Sequence, residues 1–168
     1  MKQLYLLRHA KSSRKDSSLP DHDRPLAGRG RRATKAMAAY LREQQIEPGL
    51  ILCSSATRAR QTLDGVAPGL RGSPEVRIES ELYELSATGL LARLQRIPDA
   101  VPSAMLIGHN PAMEQLGLDL AGGGPDLADL ASKYPTGALA TLEFPGRWSD
   151  LDADRCQLVG FVKPRDLE

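Results

Sequence analysis

Aromatic side chains are scarce, with one Trp, four Tyr and two Phe among 168 residues, so the chain lacks the stacking platforms on which single-stranded nucleic acids are held. A core must then be filled mainly by Leu, Ala, Val and Ile. Neither sign of charge prevails. The 22 basic and 21 acidic residues leave a net charge of +1, which sets up no global field toward nucleic acid or an anionic membrane. The local exception, Arg29-Gly30-Arg31-Arg32, reads as the solvated face of a helix. Cysteine is limited to Cys53 and Cys156, too few and too far apart for the disulfide framework of a secreted domain. Cys53 closes an apolar run and is expected to be a buried small hydrophobe. No apolar stretch approaches the ~20 residues needed to cross a bilayer, and Met1-Lys2-Gln3 leads straight into a short apolar run without a signal-peptide pattern. These absences predict a cytoplasmic protein with no membrane or nucleic-acid partner.

What is present is an ordinary globular composition, 41% apolar, of a length that fits one domain over residues 1–168. Leu4-Tyr5-Leu6-Leu7 has the length and residue types of a buried strand, and it ends abruptly in Arg8-His9-Ala10-Lys11-Ser12. A polar loop over residues 11–27 follows, long enough to be functional. Its Asp21-His22-Asp23 run is a weak metal candidate, because three adjacent ligands have no partner cluster elsewhere in the chain. Ala33, Ala36, Met37, Tyr40 and Leu41 recur at helical spacing and predict a helix from Gly28 to about Gln44. Leu50-Ile51-Leu52-Cys53 is a second buried strand; Ser54 or Ser55 is a plausible cap for a helix toward Leu70 that carries Arg58. Glu75 to Ile78 is a weaker strand, and Thr88 to about Arg96 a helix. Met105-Leu106-Ile107 is a third buried strand ending in Gly108-His109-Asn110-Pro111, with Pro111 suited to open a helix through about Leu120. Gly122-Gly123-Gly124-Pro125 follows a helix and lacks Gly-Lys-Ser/Thr, so it is expected to be a turn and not a phosphate loop. Residues 126–133 read as a short helix; Ala138 to Phe144 and Gln157 to Val162 read as an edge pair of strands. Strands alternating with helices predict a three-layer α/β/α domain with a mainly parallel central sheet.

In such a sheet the carboxyl ends of the strands lie on one rim, where ligands bind. Arg8-His9, Ser54-Ser55 with Arg58, and His109 would then converge there. Arginine's planar fork matches phosphate oxygens and keeps its charge. An imidazole in that company can hydrogen-bond a phosphoryl group or, held neutral by cationic neighbours, attack phosphorus.

Leu7-Arg8-His9-Ala10, the run from Ser54 to Thr62, and Gly108-His109-Asn110-Pro111 resemble, in order and spacing, the motifs of the histidine phosphatase superfamily, which has the phosphoglycerate mutase-like fold. Arg-His-Ala-Lys-Ser, Asp23-Arg24-Pro25-Leu26 and Leu82-Tyr83-Glu84 are most similar to the small SixA-type phosphohistidine phosphatases. The resemblance implies a phosphatase with His9 as nucleophile and with Arg8, Arg58 and His109 holding the phosphoryl oxygens. It implies no metal and no other cofactor. Ser12 and Asn110, the latter through a backbone donor, are placed among the substrate-binding residues. Glu84 best matches the general acid, with Glu81 second. Ala10 stands where the larger phosphatases and mutases carry Gly, and the chain is short for their substrate-enclosing insertions, which argues against a glycolytic mutase. The expected partner is a phosphorylated protein, such as a histidine-phosphorylated signalling domain. A small phosphomonoester, or a binding module without turnover, are the alternatives.

Overall fold

The computed structural model describes residues 1–168. Seven strands form one sheet: β1 (Lys2–Arg8), β2 (Leu50–Ser54), β3 (Glu75–Glu79), β4 (Ser103–Gly108), β5 (Ala121–Gly123), β6 (Leu139–Phe144) and β7 (Cys156–Val162). Their spatial order is β3-β2-β4-β1-β6-β7-β5. The helices are α1 (Gly28–Glu43), α2 (Thr57–Val66), α3 (Ala87–Gln95), α4 (Ala112–Leu120) and α5 (Leu127–Ser132). None is long and apolar enough to cross a membrane.

The two-residue period of the strands sorts the core into two layers. Leu4 and Leu6 of β1, with Leu52 and Leu106, pack beneath α3, α4 and α5 against Leu94, Leu116 and Leu130. Tyr5 and Leu7, with Ile51, Cys53, Met105 and Ile107, face α1 and α2 through Met37, Leu41, Leu63 and Val66. Met37 and Leu41 are buried to within 1%, and such side chains contribute ~1.5–3 kcal/mol each. Leu and Ala dominate the core as expected, but Val66 is the only fully enclosed valine, and the bulk is made up by Met, Trp148, Phe144 and Tyr134.

The sheet is mixed where a mainly parallel one was expected. β1, β2, β3 and β4 pair in parallel, whereas β6 runs antiparallel to both β1 and β7. Nor are β6 and β7 an edge pair: β6 lies beside β1, and β5 closes the edge parallel to β7. That edge is built from the glycines expected to form a turn. A Cβ on Gly122 would stand 2.5 Å from the Asp154 carbonyl oxygen, so only a glycine lets the two backbones come this close. Other departures are small. α1 and α2 end at Glu43 and Val66, a 3₁₀ turn continues α2 over Ala67–Gly69, and Pro111 precedes α4 as its cap.

Candidate active site

β1, β2 and β4 end together because they are parallel and in register: Arg8 pairs with Gly108, and Cys53 with Ile107. The chain leaving β1 stays beside β4, where the His9 amide donates to the Gly108 carbonyl at 3.0 Å. One residue beyond each strand, the His9 and His109 rings lie 5.2 Å apart, centroid to centroid. Arg58 projects to the same rim from the first turn of α2 and is buried. The structure therefore brings together Arg8, His9, Arg58 and His109.

Burial is the main cause that holds both imidazoles neutral, and the neighbouring charges of Arg58 and Arg8 add to it; the His9 pKa falls to about 3 and that of His109 to about 4. The neutral His9 ring places Nδ1 2.8 Å from the Ala10 carbonyl oxygen. A carbonyl can only accept, so Nδ1 carries the proton and Nε2 the free lone pair. His109 meets a hydroxyl instead of a carbonyl. Ser54 Oγ accepts from the Ala56 amide at 3.2 Å and lies 2.7 Å from His109 Nε2; a hydroxyl can give its proton to that nitrogen or accept one from it. When Ser54 donates, His109 holds its own proton on Nδ1.

His109 Nδ1 has no partner, and neither do Arg8 Nε and Arg58 Nε, all three atoms being buried. Orphaned buried polar groups are rare in folded proteins and call for a partner. Here all three belong to the residues around one uncharged histidine. Each guanidinium is also anchored to the protein. Arg8 Nη1 donates to the Tyr134 carbonyl at 2.8 Å, while Arg58 donates to Asp21 through Nη1 to the carbonyl at 2.7 Å and through Nη2 to Oδ2 at 2.9 Å. Desolvation lowers the Arg8 pKa from its ordinary value, as expected of a half-buried cation without a counter-charge in contact.

Other sequence-predicted residues are placed differently. Asn110 uses its side chain for structure, donating to the Tyr134 carbonyl at 3.1 Å and accepting from the Glu114 amide at 3.2 Å. Ser12 lies in the loop after β1, where its hydroxyl accepts from Arg24 Nη1 at 2.9 Å. Glu84 is exposed and lines a cavity of about 470 Å³ with Tyr83, His109 and Asn110. Glu81 instead faces Arg96 at 3.5 Å and does not line that cavity.

Asp21 and Tyr83 belong to the site and were not singled out as such from the sequence. Asp21 sits in a 3₁₀ turn, Asp21–Asp23, and its carboxylate accepts from Tyr83 Oη at 2.5 Å, Arg58 and Arg24. The Tyr83 hydrogen bond, with help from both arginines, holds that carboxyl well below the usual range. The Tyr83 ring stands edge-on to both His22 and His109. His22 stands between Ser55 Oγ at 2.8 Å and Asp23 Oδ1 at 3.3 Å, while Asp21 is taken up by Arg58, Arg24 and Tyr83, so the Asp21-His22-Asp23 run gathers no group of three ligands for a metal. The Asp-x-Asp-Arg-Pro pattern was visible; its pairing with Arg58, 37 residues on, was not.

The family model of the histidine phosphatase superfamily (branch 1) matches residues 4–112, the segment that carries all three strand ends. The uncharacterized protein Rv1276c of Mycobacterium tuberculosis is 36% identical over 163 residues, 95% of this chain and 100% of that protein. The phosphohistidine phosphatase SixA of Escherichia coli is 29% identical over 142 residues, 83% of this chain and 84% of its own length. A crystal structure from Agrobacterium tumefaciens, provisionally assigned as the phosphohistidine phosphatase SixA, superposes with a TM-score of 0.83 at 31% identity, covering 97% of this chain and 98% of that one.

Proposed function

The chain belongs to the histidine phosphatase superfamily and is a phosphatase; from that premise we propose that it hydrolyses phosphohistidine on proteins through a covalent phosphohistidine formed on His9. The observation that carries this reading is the pairing of a neutral, lone-pair-bearing His9 Nε2 with the unpartnered buried N–H donors of Arg8 Nε and Arg58 Nε and the unpartnered His109 Nδ1. A phosphoryl group seated there supplies the acceptors that Arg8 Nε, Arg58 Nε and His109 Nδ1 lack. His9 Nε2 forms a bond to phosphorus as the bond to the leaving nitrogen breaks. The positive charge this places on the ring is stabilised by the Nδ1–H donated to Ala10. The two guanidiniums and His109 stabilise the charge spread over the phosphoryl oxygens in the transition state. Water then attacks phosphorus and releases phosphate, which regenerates neutral His9.

The leaving imidazole departs neutral when its other ring nitrogen is protonated; with a reference pKa of about 6.5 that nitrogen takes its proton from solvent near neutral pH, so no strong general acid is needed. Exposed Glu84, which lines the cavity with His109, would protonate a poorer leaving group in a second reading, a phosphomonoesterase for small substrates, which that shared cavity supports.

Phosphate release from a phosphohistidine peptide, a phosphoserine peptide and an aryl phosphate, with His9→Ala as control, separates the two. Preference for the phosphohistidine peptide, abolished in the variant while phosphate still binds, is the expected result. Turnover of the aryl phosphate with inert peptides would establish the second reading, and activity retained by His9→Ala would remove His9 as nucleophile.

A further inference from the structure

A second cavity, of about 480 Å³, opens between the segment that follows β1, the start of α1, α5 and the segment that follows β7. Lys11, Arg29, Lys133 and Arg165 line it. All four are exposed, and none forms an ion pair within the chain. Lys163 also lines it but is neutralised by Asp129 at 2.9 Å, and Glu168 is the remaining acidic residue of the wall. In a chain with a net charge of only +1, this is a marked concentration of unpaired positive charge.

Its place in the fold matters as much as its charge. Leu7 of β1 pairs with Leu139 of β6, and Leu139 with Val162 of β7. Arg8 and Lys163, the next residues along β1 and β7, thus lie on the same rim of the sheet, two strand spacings or about 10 Å apart. The wall between them is short. Gly137 donates to the carbonyls of both Arg8 and His9, at 3.1 and 2.9 Å, and is preceded by the cavity residues Pro135 and Thr136.

We propose that this cavity is a docking subsite for an acidic segment of the phosphorylated protein, engaged while the phosphoryl group is at His9. The inference rests on the protein-phosphohistidine reading above. The two sites differ in the way this division requires. Around His9 the donors are buried and orphaned, fitted to a dehydrated phosphoryl group; in the cavity the cations are exposed and hydrated. Exposed cations attract flexible carboxylates through their field without demanding one geometry, and that attraction is screened by salt.

The test uses two phosphohistidine peptides that differ only in acidic or neutral flanks, an aryl phosphate, and the double variant Lys133→Glu/Arg165→Glu. At low ionic strength the wild type is expected to favour the acidic peptide about tenfold in kcat/KM, and the preference should shrink as added salt shortens the screening length. The double variant should lose it, and Lys133→Gln/Arg165→Gln should reduce it, with aryl phosphate turnover unchanged in both. Equal turnover of the two peptides by the wild type, or a preference that survives charge reversal, would overturn the proposal. If neither peptide is hydrolysed while the aryl phosphate is, the phosphohistidine reading fails by itself. Titration with the unphosphorylated acidic peptide then decides on the cavity: saturable binding lost in the double variant supports it, and absence of binding refutes it.

Discussion

Each histidine at the rim meets one oxygen: His9 Nδ1 the Ala10 carbonyl, which fixes its tautomer, and His109 Nε2 the Ser54 hydroxyl, which orients its ring. Ser54 is therefore a positioning residue, acting through His109. In Ser54→Ala His109 Nε2 loses that partner, and kcat is expected to fall about tenfold to a hundredfold, less than the loss of a direct transition-state donor. Steady-state kinetics should place the loss in kcat with KM little changed and unfolding undisturbed; a loss confined to KM would assign Ser54 to substrate binding. Glu84→Gln is expected to slow alkyl phosphates while sparing phosphoramidates, since only the former need its proton. Equal slowing of both would exclude Glu84 as the acid. At this scale the sequence was informative about residue types and silent about partners. Arg8, His9, Arg58 and His109 could be read from strand ends. Asp21 could not, because its role depends on meeting Arg58 and Tyr83 across the loop.

The element that holds the segment after His9 is α1. The Lys11 carbonyl accepts from the Ala27 amide at 2.9 Å, and Gly30, one turn on, lets α1 lie against that carbonyl. A Cβ there would stand 2.1 Å from the Lys11 oxygen. Helix propensity alone favours Gly→Ala by ~1 kcal/mol, whereas overpacking against fixed backbone costs ~1–3 kcal/mol. The second effect wins, so Gly30→Ala is expected to lower the urea midpoint and to depress kcat by displacing residues 9–11. A gain in stability would mean that the segment yields freely. The same backbone argument explains why Gly122 and Gly123 join an edge strand, with the expected turn confined to Pro125 and Asp126. Local composition records that glycine is there, and not which backbone it approaches.

Across the whole molecule, burying two neutral imidazoles makes stability depend on pH. An unfolded chain protonates histidine near 6.5, whereas the folded site resists until about 3 at His9 and about 4 at His109. Between those values the unfolded state binds more protons, so stability is full above about pH 6.5 and is lost as pH falls toward 4. His9 contributes a slope of up to ~1.4 kcal/mol per pH unit in that window. Urea midpoints from pH 7 to 4.5 should fall steeply for the wild type and less so for His9→Asn; matching slopes would show that His9 is not buried neutral. The lowered carboxyls of Asp21 and Glu79 act in the same direction but at lower pH, because their contribution is lost only as pH drops through the carboxylate range.

The sequence by itself determined the strands that build the rim, the histidines and arginines at their ends, and the amphipathic helices that cover both faces, because these follow from local periodicity and from residue chemistry. Tertiary structure decided the antiparallel insertion of β6 beside β1, the edge strand β5, the clamp of Asp21 on Arg58 and the gathering of Lys11, Arg29, Lys133 and Arg165 around one cavity. Each of these is a contact between segments far apart in the chain. Its free energy lies in backbone pairing or charge proximity, which no local pattern encodes.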